Sequence, residues 1–145
     1  LPAFSTAQAL VSALRALQAK KIVLLTPYIE EVNLRECAFL EHHGFEVLTQ
    51  VGLGINGNAE MGKLSEQVWV DLALKHQDPQ ADAYFISCTA VRSAEAIERI
   101  EALLDRPVIT SNQAMVWFAL RNYGINDHAA GYGRLFALQD PALTG

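Results

Sequence analysis

Four short candidate strands, each followed by a stretch of helical periodicity, restrict this chain more than any other feature. They are Ile22–Thr26, Phe45–Val51, Ala83–Ser87 and Pro107–Thr110. Ile22–Thr26 is a short unbroken apolar run, and such runs suit strands buried on both faces, as in a parallel sheet. Residues 7–18, 29–43, 65–76, 93–104 and 112–122 read instead as helices, from apolar residues three and four apart. In the first of them Leu10, Ala13, Leu14 and Leu17 form one stripe, with Thr6 as the expected N-cap. Strands alternating with helices imply βαβ units, right-handed crossovers and one sheet. The expected fold is α/β: a four-stranded parallel sheet flanked by helices, a three-layer Rossmann or flavodoxin-like arrangement. The expected organisation is a linking helix over residues 1–20, an α/β unit over 21–125 and a Gly-, Asp- and Pro-rich tail over 126–145.

Composition removes several classes of function. Apolar residues make up 51% of the chain and charged residues 19%, which is globular rather than disordered. A net charge of −5 with scattered basic residues argues against a nucleic-acid surface. No apolar run approaches the roughly 18 residues of a membrane helix. The opening Leu-Pro-Ala-Phe-Ser-Thr lacks a signal-peptide pattern, and without an initiator Met the chain is expected to have lost upstream residues. Two cysteines make no disulfide framework, so a reducing, cytoplasmic location is expected. His42, His43, His76 and His128 show no metal-ligand spacing, and neither metal nor cofactor is expected. Gly52-Leu-Gly-Ile-Asn-Gly57 matches G-x-G-x-x-G but follows the second strand, and no helix opens on its glycines. A dinucleotide site needs that helix at the pyrophosphate, so this reading is set aside.

In open parallel sheets, ligands bind beyond the carboxyl ends of the strands, where strand order reverses. The positions to weigh are therefore Tyr28, Gly52–Gly62, Cys88-Thr89 and Ser111-Asn112. Cys88 ends Phe-Ile-Ser-Cys, a thiol expected at the sheet edge near the start of the next helix, where amide dipoles favour an anion. Such a thiol can exchange a proton with a carbon acid; equally, it can be a buried structural cysteine. Tyr28 can donate to a substrate oxygen or be a rim aromatic. Asn58 can reach the same edge or serve as a turn residue. Thr89 can offer its amide and hydroxyl to a carboxylate or cap a turn. Cys37, within a helix, reads as core.

Residues 2–11 (Pro-Ala-Phe-Ser-Thr-Ala-Gln-Ala-Leu-Val) align without gaps to residues 107–116 (Pro-Val-Ile-Thr-Ser-Asn-Gln-Ala-Met-Val). Ten residues are few for a repeat, and strand-to-helix junctions share a vocabulary. A true repeat would make the chain the end of one half-unit followed by a whole second one. The counterpart of Cys88 would then lie upstream of Leu1.

Leu25-Thr-Pro-Tyr28, Ser87-Cys-Thr89 and Pro107-Val-Ile-Thr-Ser-Asn-Gln-Ala-Met-Val-Trp117 together resemble the maleate cis–trans isomerase and arylmalonate decarboxylase family of the Asp/Glu racemase superfamily. The ending Gly131-Tyr-Gly-Arg-Leu-Phe136 resembles, more weakly, the ectoine-utilisation branch. The resemblance implies two similar α/β halves around one site, of which this chain would be the C-terminal half. It implies that Cys88 is the second-half acid/base cysteine, that Tyr28 and Asn58 contact substrate, and that the Thr89 backbone helps hold a carboxylate. The implied function is a cofactor-independent isomerase or racemase of a small carboxylate or dicarboxylate. The alternatives are a decarboxylase on the same scaffold and a non-catalytic carboxylate-binding domain. An upstream cysteine would mark the isomerase and a glycine the decarboxylase. Half a site alone is expected to be inactive, and surface left apolar by the absent half leads us to expect a homo-oligomer.

Overall fold

The structure, a computed structural model, describes residues 4–88, 91 and 93–138. Its elements run α1 (Thr6–Ala16), β1 (Lys21–Thr26), α2 (Glu30–His42), β2 (Glu46–Gly52), α3 (Asn58–Gly62), α4 (Glu66–Lys75), β3 (Ala83–Ile86), α5 (Ile97–Leu104), β4 (Val108–Thr110) and α6 (Ser111–Asn122). The four strands form one parallel sheet in the order β2-β1-β3-β4. Side chains alternate across it with the two-residue period of a strand. Ile22, Leu24, Phe85 and Ile109 face one core with Leu10, Leu14, Leu40 and Trp117 from α1, α2 and α6. Val23, Leu25, Tyr84, Ile86 and Val108 face a second core with Trp69, Val70, Ala73, Ile97 and Ile100 from α4 and α5. These are the three layers expected from the sequence.

Both ends of the chain differ from the sequence expectation. The N-cap of α1 is Ser5, not Thr6: its hydroxyl accepts from the Gln8 amide at 3.1 Å and the Gln8 side chain returns to the Ser5 amide at 2.8 Å. Thr6 sits one position inside the helix and donates to the Met115 sulfur at 3.2 Å. The reciprocal capping box outcompetes a lone hydroxyl because it satisfies two helix-end donors. Thr110 and Gln113 make the same box at the start of α6. The two aligned segments thus encode one local device, and α1 packs directly on α6. Nor is α1 merely a link, since Ala9, Ala13 and Leu14 are fully buried.

Among the described residues of the stretch read as a tail, those after Gly133 belong to the core. A 3-10 turn over Arg134–Ala137 buries Leu135 and Phe136. Among the described residues β4 is an edge strand, and side chains cover its edge. The Val108 amide donates to Glu101 at 2.9 Å, and its carbonyl accepts from Gln113 Nε2 at 3.4 Å. Glu101 also takes the Arg134 amide, and Gln113 donates to the Tyr132 carbonyl at 2.6 Å. Arg121, 3% exposed, donates to the carbonyls of Ile125 at 2.8 Å and of Phe136 and Leu138 at 2.9 Å. A carbonyl-binding guanidinium leaves no sequence periodicity, so the segment looked loose. Arg121→Ala strands several buried carbonyls. With hydrogen bonds to charged groups worth about 1.5–3 kcal/mol each, we expect a loss of roughly 3 kcal/mol by denaturant unfolding and rapid amide exchange over residues 125–138.

Candidate active site

β1 is reached from both sides of the sheet: the chain leaves it for β2 and returns past it to β3. Strand order therefore reverses between β1 and β3, and their carboxyl ends open side by side. Tyr28 follows one and Cys88 the other. The turn after β1 is held by a buried polar chain. Thr26, fully buried, accepts from the Tyr28 amide at 3.1 Å and donates to Asn33, which in turn donates to Gln50 on β2. Gly52 lets this turn pass. A Cβ there would stand 2.4 Å from the Tyr28 carbonyl oxygen, an impossible approach. The Gly54 amide then donates to that carbonyl at 2.9 Å.

Cys88 is 7% exposed and its backbone lies at φ 111°. The other described non-glycine residues at positive φ, Gln18 and Asp105, close helix ends. Cys88 alone among the three bears a reactive group at the sheet edge. A side chain held in that region costs of order 1–3 kcal/mol, and such strain collects at functional sites. The Cys88 amide is pinned by the Ser111 hydroxyl at 3.1 Å. The helix start tied to Cys88 is therefore that of α6, rather than that of α5, which begins at Ile97. The thiol lies 3.8 Å from the Met61 sulfur, and the Tyr28 phenol lies close enough for the two groups to influence one another. Burial, then the Cys88 thiol, push the phenol well above its ordinary range, so Tyr28 stays a protonated donor.

Four other sequence-selected positions have different outcomes. Asn58 is exposed on the first turn of α3, whose Met61 reaches the thiol. The glycine loop was expected to contain no helix, because five residues show too little periodicity. Thr89 lies outside the described residues. Cys37 is buried in the α2 face of the core. Sequence reasoning did not select Glu36, and it took in Met61 only as part of the Gly52–Gly62 loop, without a role of its own. Glu36 accepts the Ser87 hydroxyl at 2.7 Å, and burial holds its carboxyl above the usual range. Ser87, Ser111 and Glu36 line a cavity of about 340 Å³ between α1 and α2, with Thr6, Arg35 and Phe39. Among the described residues no group of three or more His, Cys, Asp or Glu could hold a metal ion, and no helix is long and apolar enough to cross a membrane.

The arrangement is a buried thiol and a neutral phenol at a strand-order reversal, on a fold that known proteins share with this chain. The arylmalonate decarboxylase family profile matches residues 1–136, and the chain belongs to that family. It is 34% identical to the arylmalonate decarboxylase of Bordetella bronchiseptica over 139 residues, covering 94% of this chain and 58% of that protein. It is 32% identical to a maleate isomerase of Nocardia farcinica over 141 residues, covering 97% and 56%. A crystal structure of a Pseudomonas putida maleate isomerase superposes with a TM-score of 0.91 at 26% identity, over 94% of this chain and 55% of the other. A mutant N. farcinica maleate cis–trans isomerase carrying a covalently bound succinylcysteine intermediate superposes with a TM-score of 0.86 at 30% identity, over 92% and 55%. The chain thus spans little more than half the length of these relatives.

The strain at Cys88 can be measured. Glycine in place of alanine normally destabilises by roughly 0.5–1 kcal/mol. At position 88 the order should invert, because glycine alone accepts φ 111° freely. We expect Cys88→Gly to melt at or above Cys88→Ala; a clearly lower melting temperature would show the backbone there to be unstrained.

Proposed function

We propose that Cys88 is the acid/base residue of a cofactor-independent isomerase or racemase acting on a small carboxylate or dicarboxylate. One observation carries the proposal: a strained, nearly buried thiol beside the Tyr28 phenol where the sheet's strand order reverses. Proton transfer to or from a carbon beside a carboxylate needs a polarisable acid/base close to that carbon. It also needs donors for the negative charge that develops on oxygen. The thiol supplies the first and the neutral phenol the second. Thr89 and Asn58 are assigned carboxylate binding and orientation, by the motif they share with the family. Met61 closes the apolar side of the thiol.

The succinylcysteine in the N. farcinica relative supports cysteine chemistry on a C4 dicarboxylate. In this reading the remaining wall of the pocket comes from outside positions 1–145, from the same gene product or a second copy of it, and the 145 residues alone do not turn over. A second reading, decarboxylation of an arylmalonate-like diacid, is favoured by the family profile and by the 34% identity to the decarboxylase. Cys88 delivers a proton to carbon in both.

Positioned acid/base groups contribute about 10²–10⁴-fold, so Cys88→Ala in the intact gene product should lose at least that much turnover of maleate or an arylmalonate. Tyr28→Phe removes one hydrogen bond of roughly 1 kcal/mol and should cost about fivefold. Undiminished turnover by Cys88→Ala would remove the proposal. Selective alkylation of Cys88 over Cys37 separates an active thiol from a passive carboxylate-binding domain.

A further inference from the structure

We infer that Ser111 is a positioning residue whose hydroxyl holds Cys88 in its strained backbone conformation and so fixes the direction of the thiol. The inference rests on Cys88 being the acid/base residue. It adds a residue of α6 that acts through the cysteine rather than on substrate. The Ser111 hydroxyl accepts from the Cys88 amide at 3.1 Å. Both residues are buried, so the amide has little water to turn to and depends on that one oxygen.

The ladder between β3 and β4 explains why a hydroxyl stands at this position. In a parallel pair, every second amide of a strand donates to the same neighbour. Tyr84 pairs with Val108 and Ile86 with Thr110, and the Tyr84 amide donates to the Pro107 carbonyl at 3.0 Å. Four residues on, the same register sets the Cys88 amide against the Ser111 carbonyl. That rung cannot form, because β4 ends at Thr110 and Ser111 opens α6. The Ser111 carbonyl belongs to the helix, and its side-chain oxygen takes the rung instead. Alanine at 111 would continue the helix equally well and leave the Cys88 amide unanswered.

The Ser111 hydroxyl is not needed to cap its own helix. Thr110 accepts from the Gln113 amide at 3.1 Å, and the Gln113 side chain returns to the Thr110 amide at 3.1 Å, which completes the cap. The same box makes Ser111 a rigid post, since it lies inside the tied turn. Gln113 is anchored further by donating to the Tyr132 carbonyl at 2.6 Å. A side chain can hold another group in place only when its own backbone is locked.

The residue before Cys88 is tied as firmly. The Ser87 amide donates to the Leu25 carbonyl of β1 at 3.0 Å, and its hydroxyl donates to Glu36 of α2 at 2.7 Å. Cys88 is thus clamped between a fixed Ser87 and a fixed Ser111 while its backbone stands at φ 111°. A side chain persists in that region only where its surroundings over-determine it. Without the Ser111 oxygen, the unpaired buried amide and the backbone strain act together, and both favour a relaxed chain. The thiol then swings away from its place beside Tyr28. A reacting group misplaced by about 1 Å costs on the order of a hundredfold in rate.

Ser111→Ala, Ser111→Thr and Ser111→Val in the intact gene product test the inference. Thr and Val share one shape and differ by the oxygen, and the cavity of about 340 Å³ that Ser111 lines gives the added branch room. With maleate and an arylmalonate as assay substrates, turnover should fall roughly tenfold to a hundredfold in the Ala and Val variants. Ser111→Thr should restore it to near the wild-type rate. Iodoacetamide alkylation, resolved by peptide mass, should change at Cys88 in the Ala and Val variants and stay constant at Cys37, which lies in the other core and reports general loosening. Wild-type turnover in Ser111→Ala, equal losses in the Thr and Val variants, or a Cys37 rate that moves in step with Cys88 overturns the inference. Should the variants not fold, hydrogen exchange of the wild-type Cys88 amide decides: protection supports the bond, and exchange at the rate of an unstructured chain overturns it. Loss of turnover in Cys88→Ala beside wild-type turnover in Ser111→Ala defeats the positioning role alone, whereas full turnover in Cys88→Ala defeats the underlying function.

Discussion

β1 lies between β2 and β3, and the crossover from β1 to β2 and the one from β2 back past β1 to β3 run over opposite faces of the sheet. Two helices cannot occupy one place, so the carboxyl ends of β1 and β3 are left uncovered between them. Everything chemical in this chain follows from that gap. The turn after β1 must bend sharply, and it does so on Thr26, Asn33 and Gln50, with Gly52 giving the Tyr28 carbonyl room. The segment after β3 must bend as well, and Cys88 takes the strained position. Phenol and thiol come near each other because each stands two residues past the end of one of two adjacent strands.

The sheet was legible in the sequence because burial on both faces writes itself as an unbroken apolar run. Ile22–Thr26 and Ala83–Ser87 could be little else. Cys88 and Tyr28 were legible for a related reason, since strand ends and their order name the residues at the gap. Glu36 was not, because it sits in a helix rich in charges: Glu30, Glu31, Arg35 and Glu41 surround it. A signal existed. The buried residues of α2 are Asn33, Cys37 and Leu40, and Glu36 is three residues from one and four from another, on the flank of that stripe. A carboxylate there is either half-buried or forces the helix to turn. Met61 received no role of its own because a five-residue helix shows no period. Residues 134–138 escaped because Arg121 and Glu101 hold their backbone, and backbone binding by a side chain leaves no pattern along the chain.

The two aligned segments illustrate the limit of sequence likeness. Ser5–Gln8 and Thr110–Gln113 build the same capping box, so their similarity has a local physical cause. That cause is sufficient for the likeness whether or not the segments share an origin. What the local device does not explain is that the two helices it starts, α1 and α6, pack side by side. A stripe of Leu10, Ala13 and Leu14 meets Ala114 and Trp117 there, in one core.

Proton balance separates the chemistries open to this site. A cis–trans isomerisation ends with as many protons on carbon as it began with, so an acid/base thiol can return to its starting state unaided. A decarboxylation exchanges a carbon–carbon bond for a carbon–hydrogen bond, and one proton must come from water in every cycle. A sulfur 7% exposed under Met61 has little direct access to water.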